Sequence, residues 1–254
     1  MMRFVSLALA IALAATAFAT PVAAAPYYYV DWTAAAPSAG TASGTITLPD
    51  ASVVNVGFSV TKPTGAAGTF FFAQTAGGIN YWDPATPYMS TQVDNAPPTP
   101  DILALVGGTG GDVYTITLSE PIKDPIMAIV SLGTPSVIIT YDFDRPFTIV
   151  SQGTGYWGGT SAANCLATPS TCSLKELAGD VLQGQEGHGT IQFIGTFSTF
   201  SWTAPTFESW HGFTFGIRTT EAIEPGPSVP EPATLALLGI ALAGLGFSRR
   251  RKLH

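Results

Sequence analysis

Apolar side chains recur at every second position through the middle of the chain. In 52–60, Val54, Val56, Phe58 and Val60 fall on one face, and in 112–119 Tyr114, Ile116 and Leu118 do the same. A period of two is that of a half-buried strand. Further short strands are predicted at 27–32, 44–48, 69–73, 126–132, 137–143, 146–150, 190–202 and 212–218, each bounded by Gly, Pro, Asn or Asp. In 190–202, Ile191, Phe193 and Phe197 occupy odd positions while Phe200 and Trp202 occupy even ones. A regular strand cannot change parity, so a turn or bulge is predicted near Ser198-Thr199. One short helix is predicted at 173–177, with Ser173 as N-cap and Glu176 closing a capping box. Residues 73–100 form a long loop rich in Pro, Asn, Asp and aromatics. It carries Tyr81, Trp82 and Tyr88, and a loop of this length is either functional or mobile. Together these elements predict an all-β chain: a single jelly-roll-like β-sandwich over residues 25–223.

Composition agrees with that reading. Of 254 residues, 46% are hydrophobic and 11% aromatic, only 11% are charged, and Gly and Pro number 27 and 20. Disordered chains have few aromatics and many charges, and long helices and coiled coils are rich in Glu and Lys, so both classes are excluded. Net charge is −7, yet five of the ten basic residues lie near the ends, at Arg3, Arg249, Arg250, Arg251 and Lys252. The body between is strongly acidic, which speaks against any nucleic-acid partner.

The basic ends belong to two addresses. Met1-Met2-Arg3, an apolar stretch from Phe4 to Phe18, and Val22-Ala23-Ala24-Ala25 make the three parts of a secretory signal peptide over residues 1–24. A cut after Ala25 would leave Pro26 first, so the Ala24–Ala25 bond is favoured. At the other end, residues 224–228 form a Pro-rich linker that fits neither helix nor central strand. Residues 233–247 then run without a charge, and Arg249, Arg250, Arg251 and Lys252 follow as a membrane stop. Fifteen helical residues rise roughly 22 Å, short of a hydrocarbon core of ~30 Å, and snorkelling arginines lengthen the span. A basic cluster after an apolar segment stays cytoplasmic, which places the body outside the inner membrane.

Val229-Pro230-Glu231-Pro232, the short apolar helix and the terminal arginines resemble the PEP-CTERM sorting signal of Gram-negative bacteria, over residues 229–252. The resemblance implies recognition by an exosortase, a membrane-embedded, transpeptidase-like cysteine enzyme. It also implies an inner-membrane precursor cut near Pro230-Glu231-Pro232 and a body delivered to the cell surface or beyond, in cells that typically make exopolysaccharide and biofilm matrix. The body is similar to the β-sandwich bodies often found on such proteins, through Asp31-Trp32-Thr33 leading into residues 40–46, and residues 189–193 leading to 210–217. That similarity carries no catalytic residues.

Chemistry-bearing residues are sparse. Cys165 and Cys172, the only cysteines, are expected to form a disulfide after export, and they lack the further ligands a zinc site needs. His188, between Gly187 and Gly189, reads as a turn residue, and His211 lies at a loop-to-strand junction. Neither accompanies a nucleophile motif. Asp142 and Asp144 share a strand face: they are either solvated acids beside Arg145 or oxygen ligands for calcium. Tyr81, Trp82, Tyr156, Trp157 and Trp210 sit in predicted loops, where they either pack in the core or stack on sugar rings. The expectation is a surface or matrix protein without enzymatic activity or cofactor, with a structural or adhesive role linked to exopolysaccharide. A carbohydrate-binding module or an extracellular hydrolase stands as the alternative.

Overall fold

In the computed structural model, which describes residues 26–98 and 100–218, the alternating segments pair as antiparallel strands. In chain order these are β1 Tyr28–Tyr29, β2 Asp31–Ala36, β3 Thr41–Thr47, β4 Val53–Thr61, β5 Phe72–Gln74, β6 Ile102–Leu105, β7 Val113–Lys123 and β8 Ile126–Leu132. Then follow β9 Ile139–Phe143, β10 Phe147–Gln152, helix α1 Ala162–Ala167, β11 Leu174–Leu177, β12 Val181–Gly184, β13 Gly187–Phe193, β14 Thr196–Thr203 and β15 His211–Ile217. The signal peptide, the linker at 224–228, the sorting residues 229–232, the apolar segment and the arginine cluster lie outside the described residues.

The strands make two sheets. One runs β10-β13-β8-β15-β6-β5, with β1 added to β15, and the other runs β11-β12-β9-β14-β7-β4-β3-β2. The pairings are nested: β6 with β15, β7 with β14, β8 with β13 and β9 with β12. Along this series consecutive strands alternate between the sheets, as a long antiparallel ribbon does when it rolls up and closes with β15 against β8 and β14 against β9. This is a jelly roll, as the strand pattern predicts. β2, β3 and β4 extend one sheet beyond β7, and β10 and β11 add one strand to each sheet.

The core lies between the sheets. Val54, Val56, Phe58 and Val60 from β4 and Tyr114, Ile116 and Leu118 from β7 meet Met127, Ile129, Phe193, Phe213 and Phe215 of the opposite sheet. Trp202 is at its centre, within 6.2 Å ring to ring of Phe58, Tyr114, Tyr141, Phe143, Phe200 and Phe213. The predicted parity break is present. The β14–β7 register shifts between Phe197 and Thr199, so Phe197, Phe200 and Trp202 all point inward.

Two local expectations are overturned. Residues 174–177 are strand β11, not a helix, because Leu174–Leu177 pairs along its length with β12 across a turn carrying Gly179 and Asp180 at positive φ. Glu176 accepts from the Ile149 backbone instead of closing a capping box. The helix lies earlier, at α1, where Ser161 Oγ accepts from Asn164 N at 3.3 Å. His188 is not in a turn either: it is a fully buried residue of β13.

The long loop is a cover. Residues 75–98 run over the outer face of the β8 sheet, where Trp82 and Tyr88 pack on Ile102, Ala128 and Val130, and Val93 packs with Tyr27 and Ile126. Thr190 Oγ1 donates to Tyr88 O (3.2 Å), Trp82 Nε1 to Asp101 O (3.3 Å) and Asn95 Nδ2 to Tyr27 O (2.8 Å). No helix among the described residues is long and apolar enough to cross a membrane.

Candidate functional site

Three loops converge at one end of the covered sheet, where β6, β8 and β10 finish and β13 and β15 begin. Four of the five predicted aromatic residues meet there. Gly155 and Gly158 exchange backbone hydrogen bonds (2.7 and 3.1 Å), so a tight turn presents Tyr156 and Trp157 at its tip, 42% and 45% exposed. Tyr81 of the cover stacks on Trp157 at 5.2 Å and meets Tyr156 edge-on at 5.2 Å. Trp210, from the loop before β15, meets Trp157 edge-on at 4.5 Å and lies 5.2 Å from Tyr81. The partial burial of Tyr81, then the neighbouring Tyr156, pushes its hydroxyl above the usual tyrosine value. Trp82 takes the other alternative, core packing, and so is not available for sugar contact. It is 1% exposed and turned into the cover, where its ring packs edge-on to Tyr88.

Beneath the rings lies polar machinery that no motif announced. A bulge sets Val130 and Ser131 of β8 against His188 alone, between the pairs Gly187–Leu132 and Gly189–Ile129. Ser131 (φ 55°) and Glu186 (φ 53°) both take the left-handed conformation, uncommon outside glycine and concentrated at functional sites. The Ser131 backbone N–H points at His188 Nδ1 (3.4 Å), which Tyr88 Oη approaches at the same distance. This leaves His188 Nε2 to carry the proton, 3.4 Å from Glu186 Oε1 but off hydrogen-bond geometry. Ser131 Oγ donates to the same Glu186 oxygen at 2.6 Å. A second pair sits alongside: Glu208 Oε2 accepts from His211 Nδ1 (3.0 Å) and from Gly133 N (2.9 Å). Both imidazoles are fully buried, and Glu186 and Glu208 are 8% and 4% exposed. Gly155 makes the approach possible, since a Cβ there would stand 2.3 Å from the His188 ring.

An open pocket of about 280 Å³ is lined by Trp157 and Trp210, with Ser131, Glu186 and Glu208 in its wall. A second of similar size lies on the other side of Trp157, bordered by Glu186 and by Thr171 to Ser173. The Cys165–Cys172 disulfide, as expected, ties α1 to that border with a Cα separation of 4.6 Å. α1 itself buries no residue.

Asp142 and Asp144 are elsewhere, on the open face of the other sheet. Asp144 accepts from Ser201 N (2.9 Å) and Ser201 Oγ (3.0 Å) and so ties the end of β9 to β14. Among the described residues no three His, Cys, Asp or Glu side chains gather as a metal site.

Sequence reasoning found the rings and missed the carboxylates. The available signal was spacing in a chain poor in charge: Glu186 two residues before His188, and Glu208 three before His211.

Residues 228–252 match the family model of the PEP-CTERM protein-sorting motif. The tail is a PEP-CTERM sorting signal. The chain is therefore an exported protein sorted by exosortase, held at the membrane as a precursor before processing. Neither a curated protein nor a solved structure matches it.

Proposed function

We propose that the body acts at a Gram-negative cell surface or in the biofilm matrix as a non-enzymatic adhesive protein that holds exopolysaccharide through Tyr81, Tyr156, Trp157 and Trp210. The observation that carries this reading is the platform itself. Three separate loops bring four rings together, and two of those rings stay nearly half exposed where a monomeric domain would ordinarily bury them. Export supplies the setting in which such rings meet polysaccharide. The non-enzymatic side is supported by the pairing of the hydroxyl: Ser131 Oγ donates to Glu186, and His188 meets only the Ser131 backbone N–H, so the two do not form the Ser–His pair of a nucleophilic hydrolase.

The test is retention of the full chain, in a detergent without a sugar head group, on immobilised bacterial exopolysaccharides. Trp157→Ala is expected to weaken retention at least about tenfold, the size of effect an anchoring aromatic gives. Equal retention of variant and parent would remove the platform from the function. For the tail, Glu231→Ala is expected to leave an unprocessed, membrane-held form, read by fractionation and mass. Normal release would refute cutting at Pro230-Glu231-Pro232.

A further inference from the structure

The platform stands over two carboxylates that have no permanent cation. Glu186 and Glu208 are almost wholly buried, and their ion-pair partners are His188 and His211, charged only if protonated. Among the described residues no lysine or arginine reaches either one. Each carboxylate uses one oxygen within the fold, Oε1 of Glu186 and Oε2 of Glu208, and the other takes no hydrogen bond from a described residue. Both line the open pocket beside Trp157 and Trp210. The free oxygens are reached from the open pocket, so a cation that enters it meets two carboxylates whose other oxygens are already held in place. Indole faces also attract cations, Trp most strongly. The cavity is at the small end for ligand pockets, so it suits a single group of a larger ligand.

We infer that this cavity is a subsite for a protonated primary amine carried on a sugar ring, and that the body selects polysaccharide containing de-N-acetylated hexosamine. The inference rests on the polysaccharide-binding reading above and names its ligand class. On this reading the ring of the amino sugar lies against Trp157 or Trp210, and its ammonium reaches the free oxygens of Glu186 and Glu208. An N-acetyl group would replace the charge with a bulkier neutral amide and make no ion pair with either carboxylate. A neutral hexose would do the latter.

The test is titration of the full chain, followed by tryptophan fluorescence, at about pH 6, below the ordinary range of an amine. The probes are a glucosamine oligosaccharide, its N-acetylated counterpart, a neutral glucan oligosaccharide, oligolysine and calcium chloride. The glucosamine oligosaccharide is expected to bind at least about tenfold more tightly than the N-acetylated and neutral ones, with an advantage that shrinks as salt rises. Glu186→Gln and Glu208→Gln should each remove most of that preference while weak binding of the neutral sugar persists. Unchanged unfolding midpoints of these variants would exclude a folding defect, and Glu186→Asp should restore part of the preference. Equal binding of all three sugars overturns the amine subsite and leaves the polysaccharide reading intact. No sugar binding at all overturns both. Oligolysine binding as tightly as the amino sugar, or calcium alone displacing it, overturns the sugar-borne amine as the occupant.

Discussion

The two sheets of the sandwich are built by different rules. The sheet containing β4 and β7 has one buried face: along β4, Val54, Val56, Phe58 and Val60 are buried and their neighbours are more exposed. The sheet containing β8 and β15 is buried on both faces at its centre, where every residue of those two strands is buried. One segment makes the difference, the cover at 75–98, which lays Trp82, Tyr88 and Val93 over the outer face. A one-sided sheet meets water along its whole open surface. A covered sheet meets it only at the seam where sheet, cover and loops end together. At that seam the polar groups that cannot join either apolar layer collect, and there Glu186, Glu208 and the four rings stand.

The sharpest way to break the comparison is at the layer the sheets share. Trp202→Ala removes the ring around which both halves pack, and an expected cost of about 3–5 kcal/mol should appear as a loss of global stability in denaturant unfolding. The seam depends instead on a covalent tie. Reduction, or Cys165→Ser with Cys172→Ser, should cost about 2–3 kcal/mol by loop entropy, read as a lower thermal midpoint, and it should loosen the border of the Trp157 cavities before the sandwich.

Matched substitutions on the two outer faces sharpen it further. Val130→Thr buries a hydroxyl beneath the cover and should cost about 1–3 kcal/mol. Thr190→Val should cost about 1 kcal/mol, because Tyr88 O loses its donor and the cover loses a tie to β13. Val53→Thr, on the open face of β4, should change stability by less than about 0.5 kcal/mol. Equal effects of Val130→Thr and Val53→Thr in chemical denaturation would mean that the cover does not seal its sheet.

The same contrast explains how much of the molecule can be read from its residues. Alternation in β4 and β7 exposes their inward faces directly, and the odd-to-even switch before Phe200 marks the bulge in β14. The continuous apolar run of β8 shows a buried strand but not what buries its second face, since a cover has no period of its own. Trp82 shows the consequence: loop position leaves packing and exposure both open, and the surface beneath the loop decides between them. Ser173 and Glu176 carry a correct local cap signal that pairing with β12 overrides. Glu186, Glu208, Ser131 and the two histidines come from separate strand ends, and their meeting depends on the β8 bulge and on nested pairing, which no local pattern encodes. The tail is the opposite case. Its motif, apolar stretch and arginines are contiguous, so the sorting address is legible without any fold.

The five tryptophans fall on the two sides of this comparison: Trp32, Trp82 and Trp202 are buried, and Trp157 and Trp210 belong to the platform. Incorporating fluorotryptophan into the full chain and titrating with polysaccharide, followed by fluorine NMR, reads all five at once. If the seam is the binding site, the Trp157 and Trp210 resonances shift or broaden together while those of Trp32, Trp82 and Trp202 stay in place. Polysaccharide that binds without moving the two platform resonances would contradict the account.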